Sequence, residues 1–285
     1  MKPIKFIPLL FILLTTQIFG QDFFVKLSSG LGIGTSTREY NSLEVNQYSD
    51  GSYNTNQKSK SFSFGEGYYF SGTFGYFFND NIGADLELQY SRSPDVGYIT
   101  RYNYYDQHNL YFNNHTYKSH AYFAIPSLIV CTQIDQFKPY LKIGAVVGIA
   151  SISYNYQIST NNSIPEQNYF ESTWIERTYT YDGGIALGTN MALGIKYSLT
   201  DKLGLDFQVS SRNLSYAPTK GTLEEAWTEK GSEKDNLPNY VQQIRFVDNA
   251  NYNSNTYDRN KPSEQPKVYY PFSALVVSLG ITMNI

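Results

Sequence analysis

The sequence predicts an all-β chain, an eight-stranded antiparallel transmembrane β-barrel, and three observations carry that prediction. Apolar residues alternate with small or polar ones in segment after segment. The connections between these segments are short and long by turns. After residue 20, no apolar stretch is long enough to cross a bilayer as a helix, which takes about 20 residues. The composition fits: the 285 residues include 27 Tyr, 18 Phe and 21 Gly, and 16% are charged, against roughly 25% in an average globular domain.

The first segment is an export signal rather than a strand. Lys2 and Lys5 precede an apolar run from Phe6 to Phe19, and Gly20-Gln21 offers a small residue for cleavage, so residues 1–20 read as a signal peptide and 21–285 as a single barrel domain. The run is too short for a helical anchor across a core of about 30 Å. No cysteine lies near its end for lipid attachment.

Eight strands follow, at about 22–34, 65–78, 82–93, 118–133, 138–155, 179–199, 202–216 and 268–285. The first carries Gly30, Gly32 and Gly34 on one parity, an inward row rather than a phosphate loop, because no helix follows. Asn79-Asp80-Asn81 ends the second. The third sets Ile82, Ala84, Leu86, Leu88 and Tyr90 against Gly83, Asp85, Glu87 and Gln89. The fourth is apolar on both parities, and its facing stays open. In the fifth and sixth the less apolar face is small: Gly144, Val146, Gly148 and Ala150, then Gly184, Ala186, Gly188, Asn190, Ala192 and Gly194. A solvated outer face would carry Lys, Glu and Thr, whereas small residues suit a narrow lumen, so a membrane barrel is preferred to a soluble one. The seventh sets Leu203, Leu205, Phe207 and Val209 against Gly204, Asp206, Gln208 and Ser210. The last sets Leu275, Val277, Leu279, Ile281, Met283 and Ile285 against Ala274, Val276, Ser278, Gly280, Thr282 and Asn284.

Two aromatic girdles are expected at the strand ends. Tyr76, Phe78, Tyr140 and Tyr197 lie by the short turns, and Tyr68, Phe70, Tyr90, Tyr154, Tyr179, Tyr216, Tyr269 and Phe272 lie toward the long loops. The same parity points Lys26, Asp85, Glu87, Lys142, Lys196, Asp206 and Arg212 inward. Buried charges must be paired, so a salt-bridge network plugging the barrel near its short turns is expected, with Lys196 across the turn as partner to Asp206. The four long connections, roughly 35–64, 94–117, 156–178 and 217–267, are rich in Tyr, Asn and Ser, as in Tyr102-Asn103-Tyr104-Tyr105 and Asn251-Tyr252-Asn253-Ser254-Asn255, which suits adaptable binding loops. Within the last, Thr222-Leu223-Glu224-Glu225 has the form of a capping box and predicts a short helix at 223–230.

Other functions find little support. A net charge of −3 without a basic stripe argues against nucleic acid, and one Cys with three His argues against a structural metal; no cofactor motif is present. His108, His115 and His120 with Ser119 or Ser127 could in principle compose a hydrolase triad, but no strained nucleophile motif accompanies them.

With its leader, its eight strands of alternating connection length and a closing strand, the chain resembles the small outer-membrane β-barrel proteins of Gram-negative bacteria, the OmpA-barrel and OmpX-like group with its PorT-like members. The resemblance covers residues 21–285 as architecture and is most specific over Leu275 to Ile285, although Ile285 departs from the usual aromatic ending. It implies periplasmic turns, extracellular loops and contact with outer-membrane lipid and lipopolysaccharide. It also implies recognition of the last strand by the barrel-assembly machinery, and a structural, surface-interaction or accessory role with an envelope protein or glycan partner at the loops. A narrow porin-like channel is the second expectation, and an outer-membrane enzyme the third.

Overall fold

The computed structural model describes residues 23–48, 52–104, 109–164, 169–250 and 258–285. The leader assigned to residues 1–20 lies outside them, as do His108, Tyr105 and the 251–255 run. Eight of the strands, numbered along the chain, close on themselves: β1 (Phe23–Gly34), β4 (Gly67–Phe77), β5 (Ile82–Arg92), β7 (Asn109–Cys131), β8 (Phe137–Ile164), β10 (Ala186–Ser198), β11 (Leu203–Tyr216) and β17 (Ala274–Asn284). Each pairs antiparallel with the next in that order, and β17 returns to β1 with Lys26 opposite Thr282 and Leu27 opposite Ile281. The barrel therefore has no free edge, and its backbone groups are satisfied within the wall.

Closure sorts the alternating residues by face. Leu27, Leu31, Phe70, Leu88, Leu128, Leu193, Leu279 and Ile281 are exposed outside, while Lys26, Asp85, Glu87, Lys142, Asp206 and Arg212 are buried inside. The open question of the fourth segment is answered here: Tyr122, Leu128 and Val130 point out, and Phe123, Ile125 and Ile129 point in.

The described parts of the long connections are built largely of paired strands. They extend the barrel's sheet into a crown on the end opposite the short turns. The crown exists because β7 and β8, of 23 and 28 residues, remain paired well beyond the rim, from Cys131 opposite Tyr140 up to Leu110 opposite Asn161. On the β7 side the order runs outward through β6 (Val96–Tyr104) and β2 (Arg38–Gln47) to β3 (Tyr53–Phe62). On the β8 side it runs through β9 (Tyr169–Asp182), β12 (Lys220–Thr228) and β14 (Gln243–Val247) to β15 (Ser263–Pro266). The small β13 (Gly231–Ser232) closes a hairpin on β12, and β16 (Tyr270–Pro271) leads back into the barrel beside β11.

Two elements differ from the sequence expectation. The sixth segment, 179–199, is two strands: β9 ends in the crown at Asp182, Gly183 turns with a φ of +87°, and β10 begins at Ala186 in the barrel wall. A positive φ is open to glycine at little cost, so the chain passes from crown to wall there. The expected helix at 223–230 is instead the strand β12. A bulge between Leu223 and Glu225 in its pairing with β9 puts the buried Leu223 and Ala226 three residues apart, a spacing that imitates a helix.

The crown encloses an aromatic core continuous with the barrel mouth. Phe272, fully buried, lies 5.4 Å from the ring of Phe64, 6.0 Å from Tyr216 and 6.4 Å from Phe123, and so joins wall, mouth and crown. Several residues assigned to girdles belong to the interior instead. Tyr179, Tyr216 and Phe272 are buried, Tyr154 packs against the core, and Tyr140 binds inside the lumen.

The barrel register closes without residues 220–264. Replacing them by a short Gly/Ser bridge should leave a folded barrel, seen as retained heat-modifiable migration, while uncovering Tyr179 and Tyr181 so that limited proteolysis cuts within β9. Phe246→Ala alone should weaken the crown by about 3 to 5 kcal/mol, the usual cost of emptying a buried aromatic site, without altering barrel migration.

Candidate functional site

Strand parity fixes the lumen. Inside the barrel, Lys26 on β1 meets Asp206 on β11 past the intervening β17, with Nζ 3.1 Å from Oδ1, and donates to Gln208 Oε1 at 2.9 Å. The Tyr140 hydroxyl lies 2.9 and 3.0 Å from the two Asp206 carboxylate oxygens. Lys142 on β8 stands 2.5 Å from Asp85 Oδ2 and 3.7 Å from Glu87 Oε2. All five charges are nearly sealed from solvent, where an ion pair is screened little and either partner alone would be strongly unfavourable.

Arg212 lies six residues beyond Asp206 on β11, about 20 Å along the strand. It is not part of the ion pairs, contrary to the expectation of one cluster. Its guanidinium donates to Gln89 Oε1, to the Tyr69 hydroxyl at 2.8 Å and to the Phe272 carbonyl at 3.4 Å, and sits 4.2 Å from the Phe123 ring centroid. Tyr69 in turn donates to the Gly65 carbonyl. Gln89 connects the two levels, since its Nε2 donates to Glu87 Oε1 at 3.3 Å. A polar chain thus runs from Lys142 through Glu87 and Gln89 to Arg212 and ends under Phe272.

Lys196 was expected to pair with Asp206. The two are opposite in register, but the Asp206 ion pair comes from Lys26, and Lys196 donates to Asn284 Oδ1 at 2.7 Å toward the turn end. Lys26 reaches Asp206 past the one intervening strand β17, a separation in sequence that strand-by-strand reasoning does not bridge. Gln89, Gln208, Tyr69 and Tyr140 were missed as interior partners. Their parity with Glu87, Asp206 and Lys142 was the available signal for Gln89, Gln208 and Tyr140.

In the crown, rings from successive strands stack across one face. Tyr40 of β2 lies 4.7 Å from Tyr98 of β6, Tyr98 lies 4.3 Å from His115 of β7, and Tyr117 lies 4.6 Å from Tyr154 of β8. Tyr181 of β9 continues the row to Phe246 of β14 at 5.3 Å. His115 Nδ1 shares a 2.7 Å hydrogen bond with the Tyr154 hydroxyl. Burial pushes the hydroxyls of Tyr117, Tyr154 and Tyr181 well above the usual tyrosine range and Tyr179 to about 12, so they act as neutral donors and acceptors. Burial also lowers the His115 imidazole below the usual histidine range.

The other residues weighed for catalysis are separated. His115 faces the aromatic core, whereas His120 is exposed on the outer face. Ser119 Oγ donates to Ser93 Oγ at 3.2 Å, and Ser127 Oγ to the Ile125 carbonyl at 3.4 Å.

Fold and interior together define a closed eight-stranded antiparallel barrel with internal charges, an apolar outer belt and a folded crown. No protein-family model matches the chain, and no curated protein matches it. Among solved structures it is similar to the crystal structure of Acinetobacter baumannii CarO2, at 12% identity over 92% of this chain and 99% of that one, with a TM-score of 0.30.

Two outcomes follow from the site. Asp206→Asn strands the Lys26 ammonium and should destabilise the barrel by about 3 to 5 kcal/mol, more than Asp206→Asn combined with Lys26→Met, when unfolding in denaturant is compared. His115 makes crown stability pH-dependent. With its folded pKa lowered, the open form binds the proton first, so stability is full above about pH 6.5 and falls as the pH drops toward the folded value. Hydrogen-exchange protection factors in β6 and upper β7, corrected for the slower intrinsic exchange at low pH, should fall at pH 5, and His115→Phe should abolish that pH response.

Proposed function

We propose that the chain is an integral outer-membrane barrel with a closed, non-conducting interior, whose crown is a rigid surface for a structural, interaction or accessory role. The observation that carries this reading is its inverted solvation, with exposed Leu, Ile, Phe and Val outside and buried Lys, Asp, Glu and Arg inside. In water that arrangement exposes a contiguous apolar belt around the whole wall, far beyond the patches a soluble monomer shows. In a bilayer it is the expected one. Strand length supports the same conclusion: β4, β5 and β17 have 11 residues each, and a tilted strand needs about 9 to 11 to cross the hydrocarbon.

The outward row of the last strand, Leu275, Val277, Leu279, Ile281, Met283 and Ile285, would then face lipid and serve the assembly machinery that closes the barrel against β1. Crown chemistry favours a protein or glycan partner from the envelope, because Tyr, Asn and Ser supply apolar area and hydrogen bonds together.

A narrow channel is the second reading, and one feature favours it. A cavity of about 40 Å³ lies near the short turns, lined by the ion-paired groups Lys26, Asp85, Lys142 and Asp206, with room for water. Above it, Gln89, Arg212 and Phe272 fill the lumen, which supports closure over conduction.

Fractionation should place the protein in outer membranes. Leu279→Arg should cost about 2 to 4 kcal/mol and impair insertion, whereas Glu39→Arg in the crown should not. The purified barrel should give no stable conductance in planar bilayers; reproducible open channels would establish the channel reading instead.

A further inference from the structure

The outer wall is not a uniform cylinder. Between β1 and β8 a concavity of about 800 Å³ runs down the outside of the barrel, a size typical of ligand sites. Leu27, Gly72, Leu88, Ala124 and Val147 form its floor, and Phe70, Tyr90 and Tyr122 form its aromatic upper wall. Gly72 deepens it without being required by the fold. A Cβ there would meet only Leu27 Cδ2 at an ordinary 3.7 Å, whereas one at the neighbouring Gly75 would strike the Phe24 ring.

At its upper end the groove opens into a polar recess that shares Tyr122, Ile149 and Ile185 with it and adds His120, Ser151 and Lys220. The outward row at this height runs Tyr68, Arg92, His120 and Ser151, with Asp182 and Lys220 lining the recess beside it. Arg92 ends β5 opposite His120 in register, and Lys118 follows two residues further along β7 on the same face. Arg92, Lys118 and His120 are exposed, and Lys220 is held 3.3 Å from Asp182. Arg92 stands one full 11-residue strand from the short turns, the length that spans the hydrocarbon, so these groups sit at headgroup level.

On the basis of the outer-membrane reading above, we infer that this groove is a binding site for one phosphorylated, multiply acylated glycolipid of the outer leaflet. An acyl chain lies over Gly72 and Ala124, and a phosphate is held by Arg92, Lys118 and His120. The apolar floor gives no preference among lipids of the bilayer. The choice is made at the rim, where two long cations and the imidazole face a doubly charged headgroup and Ser151 adds a hydrogen-bond donor. The groove ends where the cations begin, which matches a ligand whose charge adjoins its chains.

The test is retention and rebinding of lipid by the whole protein. Barrel extracted in mild detergent is analysed by native mass spectrometry, then delipidated and titrated separately with lipid A and phosphatidylglycerol. The unmodified protein should retain one lipid A and prefer it to phosphatidylglycerol. The pair Arg92→Gln with Lys118→Gln should lower lipid A binding about tenfold or more. Gly72→Val, which fills the groove where a Cβ is tolerated, should lower it as well, and both should keep heat-modifiable migration. Equal binding of the two lipids, or undiminished binding by both variants, overturns the site. So does a specific Leu88→Cys disulfide between two copies, which would show that a second barrel covers the groove. A protein that fractionates with outer membranes but takes no lipid A overturns this site alone, and one absent from outer membranes overturns both readings.

Discussion

The lumen of an eight-stranded barrel is only as wide as the side chains that fill it, so every inward residue must find its partner among the other inward residues. The Lys26–Asp206 pair shows what that requires. Both groups are nearly sealed from water, and the Tyr140 hydroxyl and Gln208 amide complete their hydrogen bonding. The Lys142, Asp85 and Glu87 trio pairs its charges beside it, although Asp85 Oδ1 is left without a hydrogen-bond partner. Small residues elsewhere in the wall make room for these long ones, as where the Tyr140 ring packs over Gly194.

That filled lumen is continuous with the crown. Arg212 ends the polar chain against the Phe272 carbonyl, and Phe272 begins the aromatic cluster that extends through Phe64 and Tyr270 to Tyr117 and the stacked rings above. Above the mouth the lumen-facing parity of β7 and β8 has no opposite wall to meet, so the charged groups give way to tyrosine. A tyrosine can bury its ring against a neighbour and donate its hydroxyl to a nearby backbone carbonyl, as Tyr179 does with Val241 in the helical turn 239–242. The outer surface then presents three zones in turn: the apolar belt, the polar row with Arg92 and Lys118, and the hydrogen-bonding edges of the crown.

The barrel strands were legible in the sequence because alternation is a local property: Leu205, Phe207 and Val209 against Asp206 and Gln208 state their faces without reference to any other segment. The inward direction of Lys26, Asp85, Glu87, Lys142, Asp206 and Arg212 was legible for the same reason. The crown was not. β2 is anchored on β6 and β12 on β9, partners far away in the chain, β3 is held only as the local hairpin of β2, and the bulge at Leu223 made β12 look helical.

Composition and period-two alternation thus determined by themselves that this is an all-β barrel with small and charged residues turned inward. Which charge meets which, that Arg212 stands apart from the ion pairs, and that the long connections extend the barrel's sheet were decided only in three dimensions. The physical reason is common to all three: parity assigns a side chain to a face, but only the closure of β17 on β1 and the continuation of β7 with β8 beyond the rim set which faces oppose each other and at what height.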